Sequence, residues 1–147
     1  MTRLRVGVQC PNVKKEDSSS TTRHHRSASA YEGLVGFSRA VRRGSRISVS
    51  LSAPIDSDGE TVEGDAYVQA ERCFEIILEA VEALGGSRGD VVRTRMYIAD
   101  ASDWDAVSRA HGEFFRDIYP ASTLVIVKEH LDPRWRIEIE AEAEVLT

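Results

Sequence analysis

The closing stretch of the chain constrains its fold most, because Ile137, Ile139, Ala141 and Ala143 alternate there with Glu138, Glu140, Glu142 and Glu144. A period of two belongs to a β-strand, whose successive side chains point to opposite faces of a sheet. One face of this strand is apolar and the other is all glutamate. Four carboxylates at about 7 Å spacing repel one another, so neighbouring strands have to supply cations or water. Val91 to Ala99 has the complementary pattern, with Val92, Thr94, Met96 and Ile98 alternating with Arg93, Arg95 and Tyr97. Arg93 and Arg95 are the expected partners of the glutamate row, Glu138 included.

Three further strands follow from the same rule. Phe37 to Arg43 and Arg46 to Ser52, separated by Gly44, read as an antiparallel hairpin. In its second arm Ile47, Val49 and Leu51 alternate with Ser48, Ser50 and Ser52. Thr123 to Val127 is the fourth strand in chain order, and Trp135 to Val145 the fifth. Between strands the period lengthens. Asp65 is a favourable N-cap, and Ala66, Ala70, Cys73, Phe74, Ile77, Val81 and Leu84 then fall on one helical stripe that Gly85 ends. A second helix is expected from a capping box at Ser102 and Asp105, with an inner stripe of Trp104, Val107, Ala110 or His111, Phe114 and Ile118, and Pro120 stopping it.

Charge divides the chain near Ala30. Residues 1–30 hold six Lys or Arg against Glu16 and Asp17, a net of +4, in a chain whose total is −5. The remainder is therefore acidic. The stretch from Lys14 to Ser29 is nearly all polar and is expected to be a disordered basic arm, leaving residues 31–147 as one domain. The arm lacks aromatic residues for stacking on bases, and an acidic body repels phosphate, so nucleic acid is not an expected partner. His24 and His25 lack companions for a metal site, and Cys10 and Cys73 form no CxxC, so no metal or disulfide framework is expected. The longest apolar run, around Phe74 to Leu78, is far short of a membrane span, and the N-terminus has no apolar signal core. The expectation is a soluble, cytoplasmic protein with no membrane partner.

Two helices cover one face of a five-stranded sheet, so the apolar alternates point toward them. The charged face then meets either water or copies of itself. Spacing alone leaves both open.

Several segments in register resemble the RidA/YjgF family: Gly36-Phe37-Ser38-Arg39-Ala40-Val41, Val49-Ser50, Gly64 to Ala70, Asp90 to Tyr97, Tyr119-Pro120-Ala121-Ser122-Thr123, and Ile137 to Ala141. The resemblance implies a chorismate-mutase-like α+β fold in the order β-β-α-β-α-β-β. It also implies a homotrimer with a central β-barrel, joined through the charged face of Arg93, Arg95, Glu138, Glu140 and Glu142. Clefts between neighbouring subunits would bind a small molecule. In deaminating members they hydrolyse enamines or imines of amino acids, such as 2-aminoacrylate, without metal or organic cofactor.

Such a substrate carries a carboxylate, which an arginine fork binds through two charge-assisted hydrogen bonds. The family places that arginine directly after Pro-Ala, where this chain has Ser122. A hydroxyl supplies neither the charge nor the fork. Other cleft positions depart similarly: Phe37 replaces a tyrosine, Leu51 a glycine, and Leu124 a cysteine, while Ser50 is retained. Glu138 matches the glutamate that positions the attacking water. Arg39, on the same side as Phe37 by alternation, is a candidate replacement cation, and His111 a candidate acid or base. Three functions follow. The first is a small-molecule-binding protein without 2-aminoacrylate deaminase activity, acting on or binding another metabolite. The second is an imine or enamine hydrolase using another cation. The third is an endoribonuclease or translation inhibitor, which an acidic body without a basic groove supports least.

Overall fold

The computed structural model describes residues 21–146. They form one mixed α+β unit with a single six-stranded sheet. In chain order the elements are β1 (Arg23–His25), α1 (Ala30–Val35), β2 (Ala40–Arg43), β3 (Arg46–Ser52), α2 (Ala66–Ala83), β4 (Val91–Ile98), α3 (Trp104–Phe115), β5 (Ala121–Ile126) and β6 (Ile137–Glu144). The strand order is β1-β2-β3-β6-β4-β5, so the glutamate strand sits in the interior of the sheet. All pairings are antiparallel except β4 with β5, which the α3 crossover makes parallel.

Helix α2 begins as its composition dictates. The Asp65 carboxylate accepts the Val68 N–H at 3.0 Å, and the helix closes on Gly85 at φ +85°. Cys73, Phe74, Ile77, Ala80 and Val81 are completely buried against Ile47, Ile98, Ile137 and Ile139 of the sheet. A buried side chain of this size contributes about 1.5–3 kcal/mol by leaving water, so the stripe alone holds α2 in place. Burial pushes the Cys73 thiol well above its usual range, which makes it a packing group and not a nucleophile.

Five expectations change. The sheet has six strands, because Arg23–His25 pairs with β2, with Arg23 opposite Arg42 and His25 opposite Ala40. The arm expected to end at Ala30 is thus ordered in its last third, and residues 1–20, with Cys10, lie outside the described residues. Two guanidinium groups explain the order: Arg23 and Arg42 both donate to the Leu84 carbonyl, at 3.0 and 2.8 Å, closing the C-terminus of α2. Second, Phe37 to Arg39 are not in a strand. Gly36, at φ +88°, caps the short helix α1, and the Arg39 N–H goes to the Glu32 carboxylate instead of a neighbouring strand.

Third, α3 starts at Trp104 and the Ser102–Asp105 box does not form. Asp100 takes the Ser102 N–H at 2.9 Å, which shifts the buried stripe to Val107, Ala110 and Phe115 and leaves Trp104 exposed. Fourth, a bulge at Val92 in β4 puts Val91 inside and Val92 outside. Fifth, β6 starts at Ile137, after Trp135, whose indole N–H donates to Thr61. No described helix is long and apolar enough to cross a membrane.

Candidate functional site

A second bulge builds the site. Val49 faces Ala141 and Ser52 faces Ile139, so β3 holds one residue more than β6 between these points and Ser50-Leu51 swings out of register. Carbonyls freed in this way need donors. Arg39 supplies them: its guanidinium donates to Leu51 O at 2.7 Å, to Ser52 Oγ at 3.1 Å and to Ser50 O at 3.4 Å. Ser50 in turn donates its hydroxyl to Ser38 O at 2.8 Å.

Burying a guanidinium demands a counter-ion. Glu32 on α1 lies 3.8 Å from Arg39, and both are at least 95% buried. The Glu32 carboxylate also accepts the Ser27 N–H and hydroxyl and the Arg39 backbone N–H, and it pairs with Arg26 at 3.5 Å. Burial alone would raise the Glu32 carboxyl, but the Ser27 hydrogen bonds and the charge of Arg39 outweigh it and hold the group below its usual range. Burial pulls Arg39 down from its ordinary value, opposed by Glu32 and Glu138. The pair is charged and internally satisfied, with one exception. Arg39 Nε is buried and has no partner.

These residues form one wall of a cleft of about 1260 Å³, which Phe37, Arg39, Ser50, Leu51 and Glu138 all line. The Arg39 guanidinium stacks 5.5 Å from the Phe37 ring. Glu138 enters from β6, but its partner is neither Arg93 nor Arg95. Its Oε1 lies 2.9 Å from Nδ1 of His130, whose side chain is 2% exposed and whose Nε2 has no partner. Arg95 instead reaches Glu140 and Glu142 on the open sheet face, at 3.4 and 3.5 Å, and Tyr97 donates to Glu140 at 2.8 Å. Arg93 donates to Thr123.

The remaining candidates lie elsewhere in the subunit. Ser122 is Cα partner to Thr94 across β4 and β5, and the Thr94 hydroxyl stands 2.9 Å from Ser122 Oγ and 2.8 Å from His111 Nε2. His111 is packed among Phe74 and Phe115, with ring centroids at 5.6 and 5.0 Å, and desolvation lowers its pKa. A neutral imidazole at pH 7 results. Leu124 faces Met96 and packs against the core edge. The eight candidates therefore fall into a cleft group and a β5 group. Among the described residues, no cluster of three or more metal-ligating side chains occurs.

Sequence reasoning missed Glu32, Thr94 and His130. Thr94 had a signal, since it is the polar member of an otherwise apolar alternation. Glu32 and His130 sit outside the long periodic elements, and alternation says nothing about them.

The comparisons with known proteins agree with this geometry. The family model described as endoribonuclease L-PSP matches residues 27–145. An uncharacterized protein of Streptomyces coelicolor is 36% identical over 126 residues, covering 86% of this chain and 94% of its own. The 2-iminobutanoate/2-iminopropanoate deaminase of Salmonella typhimurium is 32% identical, covering 73% of this chain and 85% of its own. A Mycobacterium tuberculosis structure, of the YjgF/YER057c/UK114 family, superposes with a TM-score of 0.78 at 33% identity over 85% of this chain and all of that one. Fold and matched length converge, and the chain belongs to the RidA/YjgF family.

Proposed function

We propose that this protein is a small-molecule-binding member of its family that lacks 2-aminoacrylate deaminase activity. One observation carries the reading: among the described residues, every arginine on the cleft wall already has a carboxylate within 4 Å. Ser122 stands at the family's arginine position, and Arg39, the candidate replacement, is spent on Glu32 and on the bulge at Ser50 and Leu51. A buried guanidinium that faces Glu32 and spends its Nη1 on the bulge gives a substrate carboxylate little.

In this reading the functional unit is a homotrimer. The β5 edge of one subunit, with Ser122 and Leu124, closes the Phe37–Glu138 cleft of its neighbour, which accounts for the separation of the two groups in one chain. The half-exposed Arg95 cluster and the exposed Val125 and Ile126 on β5 support an interface there.

A second reading, an imine hydrolase that dispenses with the arginine, draws on Glu138, which lines the cleft with His130 hydrogen-bonded to it. A carboxylate so held is a plausible base for water. The deaminase names of the Salmonella and human relatives, 32% and 31% identical, point the same way. The two readings separate when 2-iminopropanoate is generated in situ and pyruvate is followed. No acceleration above buffer is expected from the unmodified protein, with a gain of at least about tenfold in Ser122→Arg if the fork alone is missing. Robust turnover by the unmodified protein establishes the hydrolase instead. The endoribonuclease reading has only descriptive names behind it, that of the family model and that of a Thermotoga maritima structure at 31% identity and TM-score 0.77.

A further inference from the structure

We infer that the cleft takes an organic cation, a small primary amine on an apolar body, with Glu138 as its counter-ion. The inference rests on the reading that carboxylates are not its ligands, and it names the charge that replaces them. The walls are aromatic and aliphatic, with Phe37, Tyr31, Trp135 and Ile76 among them. Aromatic faces attract ammonium groups as well as hydrocarbon.

The charge balance decides the sign. Every arginine on the wall has a carboxylate within 4 Å: Arg26 and Arg39 share Glu32, Arg72 has Glu75 and Glu79, and Arg134 has Asp132. On the acidic side, Asp56 and Glu138 have no arginine within salt-bridge distance among the described residues. Asp56 accepts the Asp58 and Glu60 backbone N–H groups within its own turn, whereas the partner of Glu138 is His130. With a ring proton on Nδ1, His130 donates to Oε1 and leaves Oε2 to a ligand. A carboxylate only 14% exposed, with no described arginine in salt-bridge distance, gains most from a cation that arrives with the ligand. An anion would meet repulsion from the same group.

Ser122, brought from a neighbouring subunit in the proposed trimer, adds no charge that would reverse this preference.

The test uses three compounds of one skeleton, 2-phenylethylamine, phenylacetamide and phenylacetate, titrated calorimetrically into the full chain at pH 7 and low salt. The amine is expected to bind at least about tenfold more tightly than the amide, and the carboxylate more weakly than either. Glu138→Gln is expected to remove the amine's advantage while leaving amide binding unchanged. In the unmodified protein, added NaCl should weaken the amine more than the amide, which keeps the test decisive even where the variant folds poorly. Equal binding of amine and amide, binding of none, or a preference that survives Glu138→Gln overturns the inference. Equal amine and amide binding leaves the carboxylate-free reading standing. Tightest binding of phenylacetate overturns both.

Discussion

Arg39 and Glu32 face each other at 3.8 Å beneath the surface, whereas Arg95 reaches Glu140 at 3.4 Å and Glu142 at 3.5 Å on an open sheet face. The residue types are the same. The first pair is dry and held by serine and backbone hydrogen bonds, so removing one member strands a charge in a low-dielectric interior. The second is about one-third exposed, shares one nitrogen between two carboxylates, and competes with water. A buried pair of this kind is finished within one subunit. An exposed one of marginal worth acquires value only when something covers it.

The largest expected effect tests the buried side. Glu32→Ala should cost about 3–5 kcal/mol by leaving Arg39 uncompensated, read as a fall of about 10 °C in melting temperature. Adding Arg39→Met to that variant should recover only part of the loss, because the stranded charge is removed while the Ser50 and Leu51 carbonyls lose their donor. A single-variant loss under 1 kcal/mol would erase the contrast. On the exposed side, Arg95→Ala should cost a subunit less than about 1 kcal/mol. It should nevertheless raise the concentration at which the proposed trimer dissociates by about tenfold, measured by sedimentation. An Arg95 variant that assembles normally would return the sheet face to water.

A smaller effect concerns His111. Its pKa is lowered in the folded state by burial, so the unfolded chain binds the proton more readily. Stability is therefore fully present above the ordinary histidine value near 6.5 and declines as pH falls through that value toward the folded one. His111→Gln should flatten this part of the pH–stability curve, and NMR titration of the His111 ring should place its midpoint below the ordinary histidine value.

What could be read from sequence follows the same division. The Ile137–Glu144 alternation, the Asp65 cap and the Gly85 stop were legible because each is a local rule repeated or terminated within a few residues. The bulges at Val92 and at Ser50-Leu51 were not, since a bulge is a mismatch between two strands and belongs to neither sequence alone. For the site, the family's register grouped Phe37, Arg39, Ser50, Leu51 and Glu138, and all five line one cleft. The counter-ion of Arg39, Glu32, was not legible because it lies in a six-residue helix with too few turns for periodicity to show. Pairing Glu138 with Arg93 or Arg95 failed for a related reason. Cross-strand charge complementarity was weighed, but the loop that returns His130 to β6 was not.

Strand β5 is joined to the sheet along one side only, by β4, and exposes Val125 and Ile126 beyond it. Its other side carries unspent backbone donors and acceptors, which in a lone subunit form a ready template for aberrant pairing with any extended chain. Proper assembly would therefore be a safeguard against aggregation as well as a means of completing the cleft. The dilute subunit should be the hazardous species, and protein concentration should govern apparent heat tolerance as strongly as any side-chain contact.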